Sequence, residues 1–248
     1  VHPRMDFMLY AMDAVVNQAA KWSHMLGGQA HPAVTIRSII NRGGEQGAQH
    51  SQALHAWFAH VPGLRVVMPT TVADARDLLI ASVLCDDPVM YIDDRWLYDQ
   101  EDELPPVVEL DLATQRPEIS IIGSDITIVA SGHASLLARE AEKLLKCENI
   151  SAEVIDVRVL NPFHAEDIIE SVKKTKNLLV VDSGWISGGF SAEIIAKVVE
   201  QLPVNCLNNP PVRVALPDAP APTSRVLEKA YYTSTDDVVK AVKKILNS

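Results

Sequence analysis

The sequence predicts an α/β protein in which helices cover mainly parallel sheets. Segments typical of buried strands alternate with segments of helical spacing along most of the 248 residues. Between residues 94 and 124 this alternation stops, in a stretch that contains prolines and acidic side chains and has little periodicity. A chain of this length forms one or two domains. We therefore expect two α/β domains, at residues 1–100 and 125–248, joined by a linker at 101–124.

The first domain begins with a helical pattern rather than with a strand. Met8, Met12 and Val15 lie at helical spacing within residues 7–25. Further along this domain, the pattern predicts strands at 33–36, 65–68 and 89–92 and helices at 52–58 and 71–84.

The helix expected at 71–84 has the clearest sequence signals in this domain. Thr70 or Thr71 can cap it, and Asp74 lies in its first turn. Its apolar face is expected to consist of Ala75, Leu78, Leu79 and Val83.

The second domain repeats the strand and helix alternation four times. Strands are expected at 126–131, 152–160, 178–182 and 212–216, and helices at 135–145, 165–175, 191–202 and 235–246. Short β-branched runs followed by helices are typical of parallel pairing, and we expect a mixed sheet. The turn with Gly188 and Gly189 precedes a helix and has two interpretations, a tight strand-to-helix turn and an anion site at the helix start.

Composition excludes several classes of function. The formal net charge of −10 argues against nucleic-acid binding, which needs a basic face. Three cysteines far apart predict neither a disulfide framework nor a zinc site, which fits a reducing compartment. No apolar run approaches the roughly 20 residues of a membrane span, so we expect no membrane partner.

The loop after the first predicted strand is the best candidate for a site. Arg37 ends an apolar run, and His50 follows thirteen positions later, before a predicted helix. The loop between them holds Gly43, Gly44 and Gly47, which form neither a GxGxxG nor a Walker motif and so predict no phosphate cradle. Ligands of α/β proteins lie beyond the carboxyl ends of strands, where an imidazole can transfer protons near neutral pH. His50 is therefore the candidate catalytic residue, with an ordinary surface histidine as the alternative.

Several longer segments, taken in chain order, point to a known family. They are MDAVVNQAAK (12–21), GAQHSQ (47–52) after Arg37, PGLRVVMPTTVADARDLL (62–79), DDPVMYID (86–93), EVIDVRVLNPFHAEDIIESVKKT (153–175), VVDSGW (180–185) and PDAPAP (217–222). In this order and spacing they resemble the beta subunit of the thiamine-diphosphate-dependent 2-oxoacid dehydrogenases of the pyruvate and branched-chain type, which are relatives of transketolase.

The resemblance implies a fold, a cofactor and partners. It implies a partial pyrimidine-binding parallel-sheet domain followed by a transketolase-like C-terminal α/β domain. In this family thiamine diphosphate lies between subunits: an alpha chain holds the diphosphate through Mg²⁺, and a beta chain holds the aminopyrimidine ring. The sequence has no GDG-type diphosphate motif, in agreement with a beta role. The implied partners are an alpha subunit, a second beta subunit and a dihydrolipoyl acyltransferase core.

The resemblance also assigns roles to residues. Phe7 falls where the family has an aromatic ring against the aminopyrimidine. His50 falls on the active-site histidine, which helps to bind the 2-oxoacid or the intermediate and assists transfer to the lipoyl group. Arg37 is a candidate to meet a substrate carboxylate, and a structural ion pair remains the alternative. The family also implies a potassium ion at backbone oxygens near Val34, Ser82, Val83, Cys85 and Asp87.

Two departures from the family pattern bear on activity. The family's essential glutamate at the pyrimidine ring falls before the segment that matches Val1, and this chain has no residue for it. Without it the cofactor should not be activated, so we expect a longer parent subunit or another polypeptide to supply the glutamate. At the start of the segment SIINRGGEQ (38–46), the proline and glycine that the family usually carries just after Arg37 are missing, so the substrate loop is expected to differ.

The resulting expectation is an enzyme subunit for oxidative decarboxylation of a 2-oxoacid, pyruvate or branched-chain, with acyl transfer to lipoyl. One alternative is a split transketolase-like enzyme acting on sugar phosphates, which the acidic balance disfavours because phosphate binding needs basic residues. The other is a non-catalytic assembly or docking chain. The expected location is a prokaryotic cytoplasm or the mitochondrial matrix.

Overall fold

Parallel strands form the centre of both compact units into which the chain divides. The computed structural model describes residues 1–247, and the chain passes between the units several times. The first unit contains Val1–Gln115, Arg158–Phe163 and Pro220–Arg225, and the second contains Arg116–Val157, His164–Ala219 and the chain from Val226 onward.

The strands and helices are numbered separately along the chain. The strands are β1 (Thr35–Ile40), β2 (Arg65–Val67), β3 (Val89–Asp94), β4 (Glu118–Ile121), β5 (Ile126–Ala130), β6 (Ala152–Asp156), β7 (Val159–Asn161), β8 (Leu178–Trp185) and β9 (Val212–Leu216). The α-helices are α1 (Ala20–Met25), α2 (His55–Ala59), α3 (Val72–Leu84), α4 (His133–Lys146), α5 (Glu166–Thr175), α6 (Phe190–Gln201), α7 (Arg225–Tyr231) and α8 (Thr235–Leu246). Short 3-10 turns lie at Met5–Ala11, Ala48–His50 and Arg95–Leu97.

The sheet of the first unit has the order β1-β3-β2-β7. β1, β3 and β2 are parallel, and β7 pairs antiparallel with β2. Every residue of β3 is buried because β3 lies between two strands and under α3. The core beside α3 contains Val67, Leu78, Val89, Tyr91 and Val159.

The helix α3 begins and ends close to the predicted positions. Thr71 accepts a hydrogen bond from the Asp74 N–H, and Asp74 accepts one from the Thr71 N–H, so the two residues form a capping box. Leu78 and Ala81 are buried, as an inward face requires, but Val83 is 64% exposed. The prediction that Val83 belongs to the buried face was therefore wrong.

The N-terminal segment is helical, as expected, but it is not one regular α-helix. The 3-10 turn Met5–Ala11 leads into a π-helical stretch, Asp13–Ala19, and then into α1. The turn before β2 approaches this segment closely, since a Cβ on Gly63 would lie 2.0 Å from the carbonyl oxygen of Ala20. Only glycine fits at that position, where φ is +89°.

The sheet of the second unit is mixed, as predicted, with the order β4-β6-β5-β8-β9. β6, β5, β8 and β9 are parallel, and β4 is an antiparallel edge strand beside β6. The core under α4 and α8 includes Ile128, Ala138, Val154, Leu179 and Val242.

Three expectations for this part of the chain need correction. The strand expected at 152–160 is two strands, because the chain leaves the second sheet after β6 and β7 joins the first sheet. Within residues 94–124, β4 and the turn Arg95–Leu97 were not predicted. The helix α7 was not predicted. Within residues 1–247 no helix combines the length and the apolar character needed to cross a membrane.

Candidate active site

The ring of Phe7 contacts the imidazole of His50, so two residues expected in one site meet. Their centroids are 5.2 Å apart and their planes cross at 61°. Phe7 is 40% exposed and His50 is half-buried. Neither imidazole nitrogen has a hydrogen-bond partner among residues 1–247. The pair therefore offers a ligand an aromatic surface and an imidazole that can still form hydrogen bonds.

Two hydrogen bonds join the segments that carry this pair. The N–H of Gln52 donates to Asp6 Oδ1 at 2.9 Å, and the N–H of Leu54 donates to the sulfur of Met5 at 3.2 Å. Met5 and Asp6 are 0% and 5% exposed. The residues that follow His50 are thus held against the turn that contains Phe7.

The glycine loop before His50 is confined between neighbouring side chains. Gly43 has φ +69°, and a Cβ there would lie 2.8 Å from the Trp96 ring. Gly47 has φ +73°, and a Cβ there would lie 2.8 Å from Thr223 Oγ1. Thr223 belongs to the short segment Pro220–Arg225 of the same unit. Both glycines therefore serve backbone conformation and close packing, and no phosphate cradle is formed.

Arg37 forms the ion pair that was left open as an alternative to substrate binding. Its Nε donates to Asp93 Oδ2 at 2.5 Å, across the two adjacent parallel strands β1 and β3. The hydroxyl of Tyr98 donates to the same Asp93 oxygen at 3.3 Å. The side chain of Asp93 is 8% exposed, whereas that of Arg37 is 37% exposed.

Burial and mutual charge shift the pKa values of this cluster. Burial raises the pKa of Asp93 above the usual range for aspartate, and the hydrogen bonds from Arg37 and Tyr98 oppose this only in part. Burial disfavours the charge on Arg37, but the hydrogen bond and the charge of Asp93 outweigh it and raise the pKa of Arg37. Burial and the Asp93 charge raise the pKa of Tyr98.

An open cavity of about 480 Å³ lies beside this cluster, at the carboxyl ends of β3 and β2. Arg37, Asp93 and Tyr98 provide polar groups, and α3 contributes an apolar wall that includes Ala75 and Leu79. The residues that line the cavity do not include Phe7 or His50. Arg37 therefore lies in a cavity to which the ring pair does not contribute.

A fully buried ion pair supports the same edge of the sheet, and sequence reasoning missed it. Arg42 Nη2 donates to Asp94 Oδ2, and the two side chains are 4% and 0% exposed. The Arg42 guanidinium lies over the Trp96 ring, 4.8 Å from its centroid. The two charged residues are 52 positions apart, so no local pattern indicated the pair.

The residues predicted near a potassium ion lie where α3 ends and where β1 and β3 begin. The carbonyl oxygen of Ser82 accepts a hydrogen bond of 2.8 Å from Thr35 Oγ1, and that of Val34 accepts one of 2.9 Å from the Val89 N–H. The Asp87 carboxylate pairs with the first residue of β2 at 2.7 Å. Carbonyl groups at a helix C-terminus carry partial negative charge, which suits a cation.

The turn before α6 is a tight strand-to-helix turn. Asp182 accepts hydrogen bonds of 2.8 Å from the N–H groups of Gly184 and Ser191, so its carboxylate satisfies donors at the helix start. A Cβ on Gly189 would lie 2.3 Å from the Trp185 carbonyl oxygen. The structure thus favours the turn over the anion site that Gly188 and Gly189 also suggested.

Comparison with known proteins defines the class of protein to which this chain belongs. Residues 4–100 match the family model of the transketolase pyrimidine-binding domain, and residues 118–238 match that of the transketolase C-terminal domain. A solved split-gene transketolase, described as an inactive beta4 tetramer, superposes with a TM-score of 0.79 at 24% identity, over 99% of this chain and 75% of that one. The protein is therefore a transketolase-like α/β protein, which confirms the predicted fold class.

Curated relatives narrow the class further. The pyruvate dehydrogenase E1 subunit beta of Caenorhabditis elegans is 37% identical to this chain, over 98% of this chain and 70% of that protein. The subunit from Rhizobium meliloti is 35% identical, over 97% of this chain and 52% of that protein. The acetoin:2,6-dichlorophenolindophenol oxidoreductase subunit beta of Cupriavidus necator is 36% identical, over 98% and 71%. The chain belongs to the family of thiamine-diphosphate-dependent 2-oxoacid dehydrogenase E1 beta subunits. It spans about half the length of the Rhizobium protein and about 70% of the other two.

Proposed function

We propose that this chain works as the beta subunit of an enzyme that oxidatively decarboxylates a 2-oxoacid and transfers the acyl group to a lipoyl group. The observation that carries the proposal is the contact between Phe7 and His50, with centroids 5.2 Å apart, in a chain of the E1 beta family. An exposed aromatic ring beside an imidazole with unused hydrogen-bonding capacity suits a flat cofactor ring and a reacting carbonyl group.

Thiamine diphosphate fits these residues through its aminopyrimidine end. Phe7 would pack against that ring, because 40% of its surface is exposed next to His50. Among residues 1–247 no group of three or more His, Cys, Asp or Glu side chains is arranged to hold a metal ion. Following the family resemblance, we assign Mg²⁺ and the diphosphate to an alpha subunit. When bound, the cofactor delocalises the carbanion that decarboxylation leaves, which no side chain can do.

His50 is the proposed catalytic residue of this chain. A neutral imidazole can donate or accept a proton at the substrate carbonyl oxygen, which is worth about 10² to 10⁴ in rate. Arg37 remains a proposed contact for the substrate carboxylate, because a guanidinium has five donors and only some of them serve Asp93 and Tyr98. One substrate would then have to reach both the cavity lined by Arg37 and the ring pair of Phe7 and His50.

A potassium ion is part of the proposal. Its ligands would be backbone oxygens around the end of α3, near Val34, Ser82, Val83, Cys85 and Asp87. The hydrogen bond from Thr35 to the Ser82 carbonyl already links α3 to β1, so an ion there would stabilise the same junction.

The proposed assembly and domain limits follow the family. The partners are an alpha subunit, a second beta subunit and a dihydrolipoyl acyltransferase core, in a prokaryotic cytoplasm or the mitochondrial matrix. Residues 1–100 would be the pyrimidine-binding domain, 101–124 the linker and 125–248 the C-terminal domain.

Acetoin is a second candidate substrate. The relative from Cupriavidus necator is named for acetoin and is about as similar to this chain as the pyruvate dehydrogenase subunits are. Just after Arg37 the chain has Ser38 and Ile39 where the family usually carries a proline and a glycine, which is consistent with a different substrate loop. Sugar phosphates are disfavoured by the net charge of −10.

A reconstitution assay tests the proposal. The subunit would be mixed with its alpha subunit, thiamine diphosphate and Mg²⁺, and reduction of an artificial electron acceptor would be followed with pyruvate, branched-chain 2-oxoacids and acetoin. We expect turnover with a 2-oxoacid and none when the alpha subunit is omitted. Turnover with acetoin and with none of the 2-oxoacids would show that acetoin is the substrate. If the subunits assemble but use none of these compounds, the chain is an assembly module.

A further inference from the structure

The carboxylate of Asp6 is buried with little to hold it there. Asp6 is 5% exposed, and its Oδ1 accepts the Gln52 N–H at 2.9 Å. Its Oδ2 is buried and has no hydrogen-bond partner among residues 1–247. A buried carboxylate with an unsatisfied oxygen is unfavourable for folding. Stability alone therefore does not explain an aspartate at this position.

The hydrogen bond that the Asp6 carboxylate accepts joins the two segments that carry the ring pair. Asp6 directly precedes Phe7, and Gln52 follows His50 by two residues. Ser51, which lies between His50 and Gln52, is 2% exposed, and its hydroxyl also lacks a partner among residues 1–247. The bond from Gln52 to Asp6 is thus the nearest polar anchor on the C-terminal side of His50.

Because the loop before His50 is rich in glycine, the position of His50 depends on an anchor after it. Gly43, Gly44 and Gly47 all have positive φ and give this loop more conformational freedom than other residues would. On that side Gly47 packs against Thr223, whereas after His50 the first polar contact is the bond from Gln52 to Asp6, followed by the bond from Leu54 to Met5. A ring contact permits sliding and rotation, but a charge-assisted hydrogen bond to a backbone N–H fixes the position of the chain.

We propose that Asp6 is the positioning residue of His50. By holding Gln52, its carboxylate keeps the imidazole against the Phe7 ring and keeps the two groups in register for one ligand. The catalytic part of this role depends on the function proposed above, whereas the effect on the ring contact does not.

Two substitutions separate the bond from the charge. Asp6→Ala removes the acceptor, whereas Asp6→Asn keeps the shape and the Oδ1 acceptor and removes the charge. Asp13→Ala is the matched control, because Asp13 lies in the same N-terminal helical segment but is exposed and bonds only Asn17.

Nuclear magnetic resonance of the full chain gives the direct test. In Asp6→Ala we expect exchange of the Gln52 amide to become about tenfold faster, and the cross-relaxation signal between the Phe7 and His50 rings to disappear. Asp6→Asn and Asp13→Ala should keep the signal. If the signal and the Gln52 protection persist in Asp6→Ala, the proposal is overturned. If Asp6→Ala does not fold, Asp6→Leu takes its place, since it fills a similar volume without an acceptor; loss of the signal there supports the proposal, and its retention together with Gln52 protection overturns it.

Turnover with the alpha subunit gives the second readout. We expect Asp6→Ala to lower kcat about 10- to 100-fold with little change in KM, because a misplaced catalytic group slows the chemistry more than binding. Asp6→Asn should restore most of kcat. Unchanged kcat in Asp6→Ala would refute a role in catalysis. If wild type shows no turnover with any substrate, the proposed function fails, and the ring signal alone decides the positioning role.

Discussion

Phe7 and His50 meet edge to face, with ring centroids 5.2 Å apart, although one lies in the N-terminal helical segment and the other in the loop after β1. Their meeting depends on the bonds from Gln52 to Asp6 and from Leu54 to Met5, which hold the two segments together. The site of this chain is therefore assembled by long-range contacts of its first residues with the loop after β1.

Replacing Phe7 should weaken cofactor binding. Phe7→Ala removes the aromatic surface beside His50, and we expect the apparent Kd for thiamine diphosphate in the reconstituted enzyme to rise about 3- to 10-fold. Phe7→Tyr should be close to wild type. Tyr10→Ala, at a residue that is 96% exposed, is the control and should have no effect. An unchanged Kd in Phe7→Ala would remove Phe7 from the cofactor site.

The glycine loop offers a test of its backbone conformation and its close packing. Gly44→Ala and Gly47→Ala both place a side chain at positive φ, but only Gly47 has an atom nearby, Thr223 Oγ1 at 2.8 Å from an added Cβ. We expect Gly44→Ala to lower the free energy of unfolding by about 1 kcal/mol, and Gly47→Ala by about 2 to 3 kcal/mol. Urea unfolding measures both, and equal losses would show that Thr223 does not confine the loop.

The buried pair of Arg42 and Asp94 should be essential for stability. Asp94→Asn leaves a buried guanidinium without its counter-ion, so we expect a loss of about 3 to 5 kcal/mol in the free energy of unfolding. Glu45→Gln breaks an exposed pair whose Arg225 side chain is 74% exposed, and should cost less than about 1 kcal/mol. Similar losses for the two variants in urea unfolding would contradict the burial argument.

Glu153 should give the second unit a pH-dependent stability. Burial of Glu153 would raise its pKa, but hydrogen bonds from Lys174, Ser171 and the Gly123 N–H outweigh burial and lower it. A carboxyl group with a lowered folded pKa stabilises the fold above its unfolded pKa of about 4.3, and loses this effect as the pH falls through the folded pKa. The gap in urea midpoint between wild type and Glu153→Gln should therefore be largest at neutral pH and shrink below about pH 4. A gap that stays constant with pH would contradict this assignment.

Local periodicity was sufficient to predict most elements of the fold. The helix α8 and the strand β9 have the predicted bounds, because their apolar spacing is regular and their ends carry clear signals such as the capping box of Ser234 and Asp237. The capping box of α3 was likewise predictable from Thr71 and Asp74.

The missed features depend on contacts between distant residues. The run 152–160 looks like one strand, and only the pairing of β7 with β2 in the other sheet divides it. β4 is short and half-exposed, so its sequence lacks the apolar run of a central strand. Val83 has the spacing of a buried residue, but α3 turns it toward solvent.

The candidate site was predictable in part. The loop indicates His50, the family resemblance indicates both His50 and Phe7, and the structure brings the two rings into contact. Their roles, like those of Arg37 and the potassium-site residues, stay predictions. The role of Asp6 had no local signal, since its partner Gln52 is 46 positions away.

Turnover of His50→Ala with the alpha subunit tests the central claim most directly. The imidazole is half-buried and has no hydrogen bond to residues 1–247, so its loss should leave the urea midpoint unchanged. We predict that kcat falls at least about 100-fold, while His24→Ala, at an exposed histidine, keeps wild-type turnover. Wild-type kcat in a correctly folded His50→Ala enzyme would contradict the account.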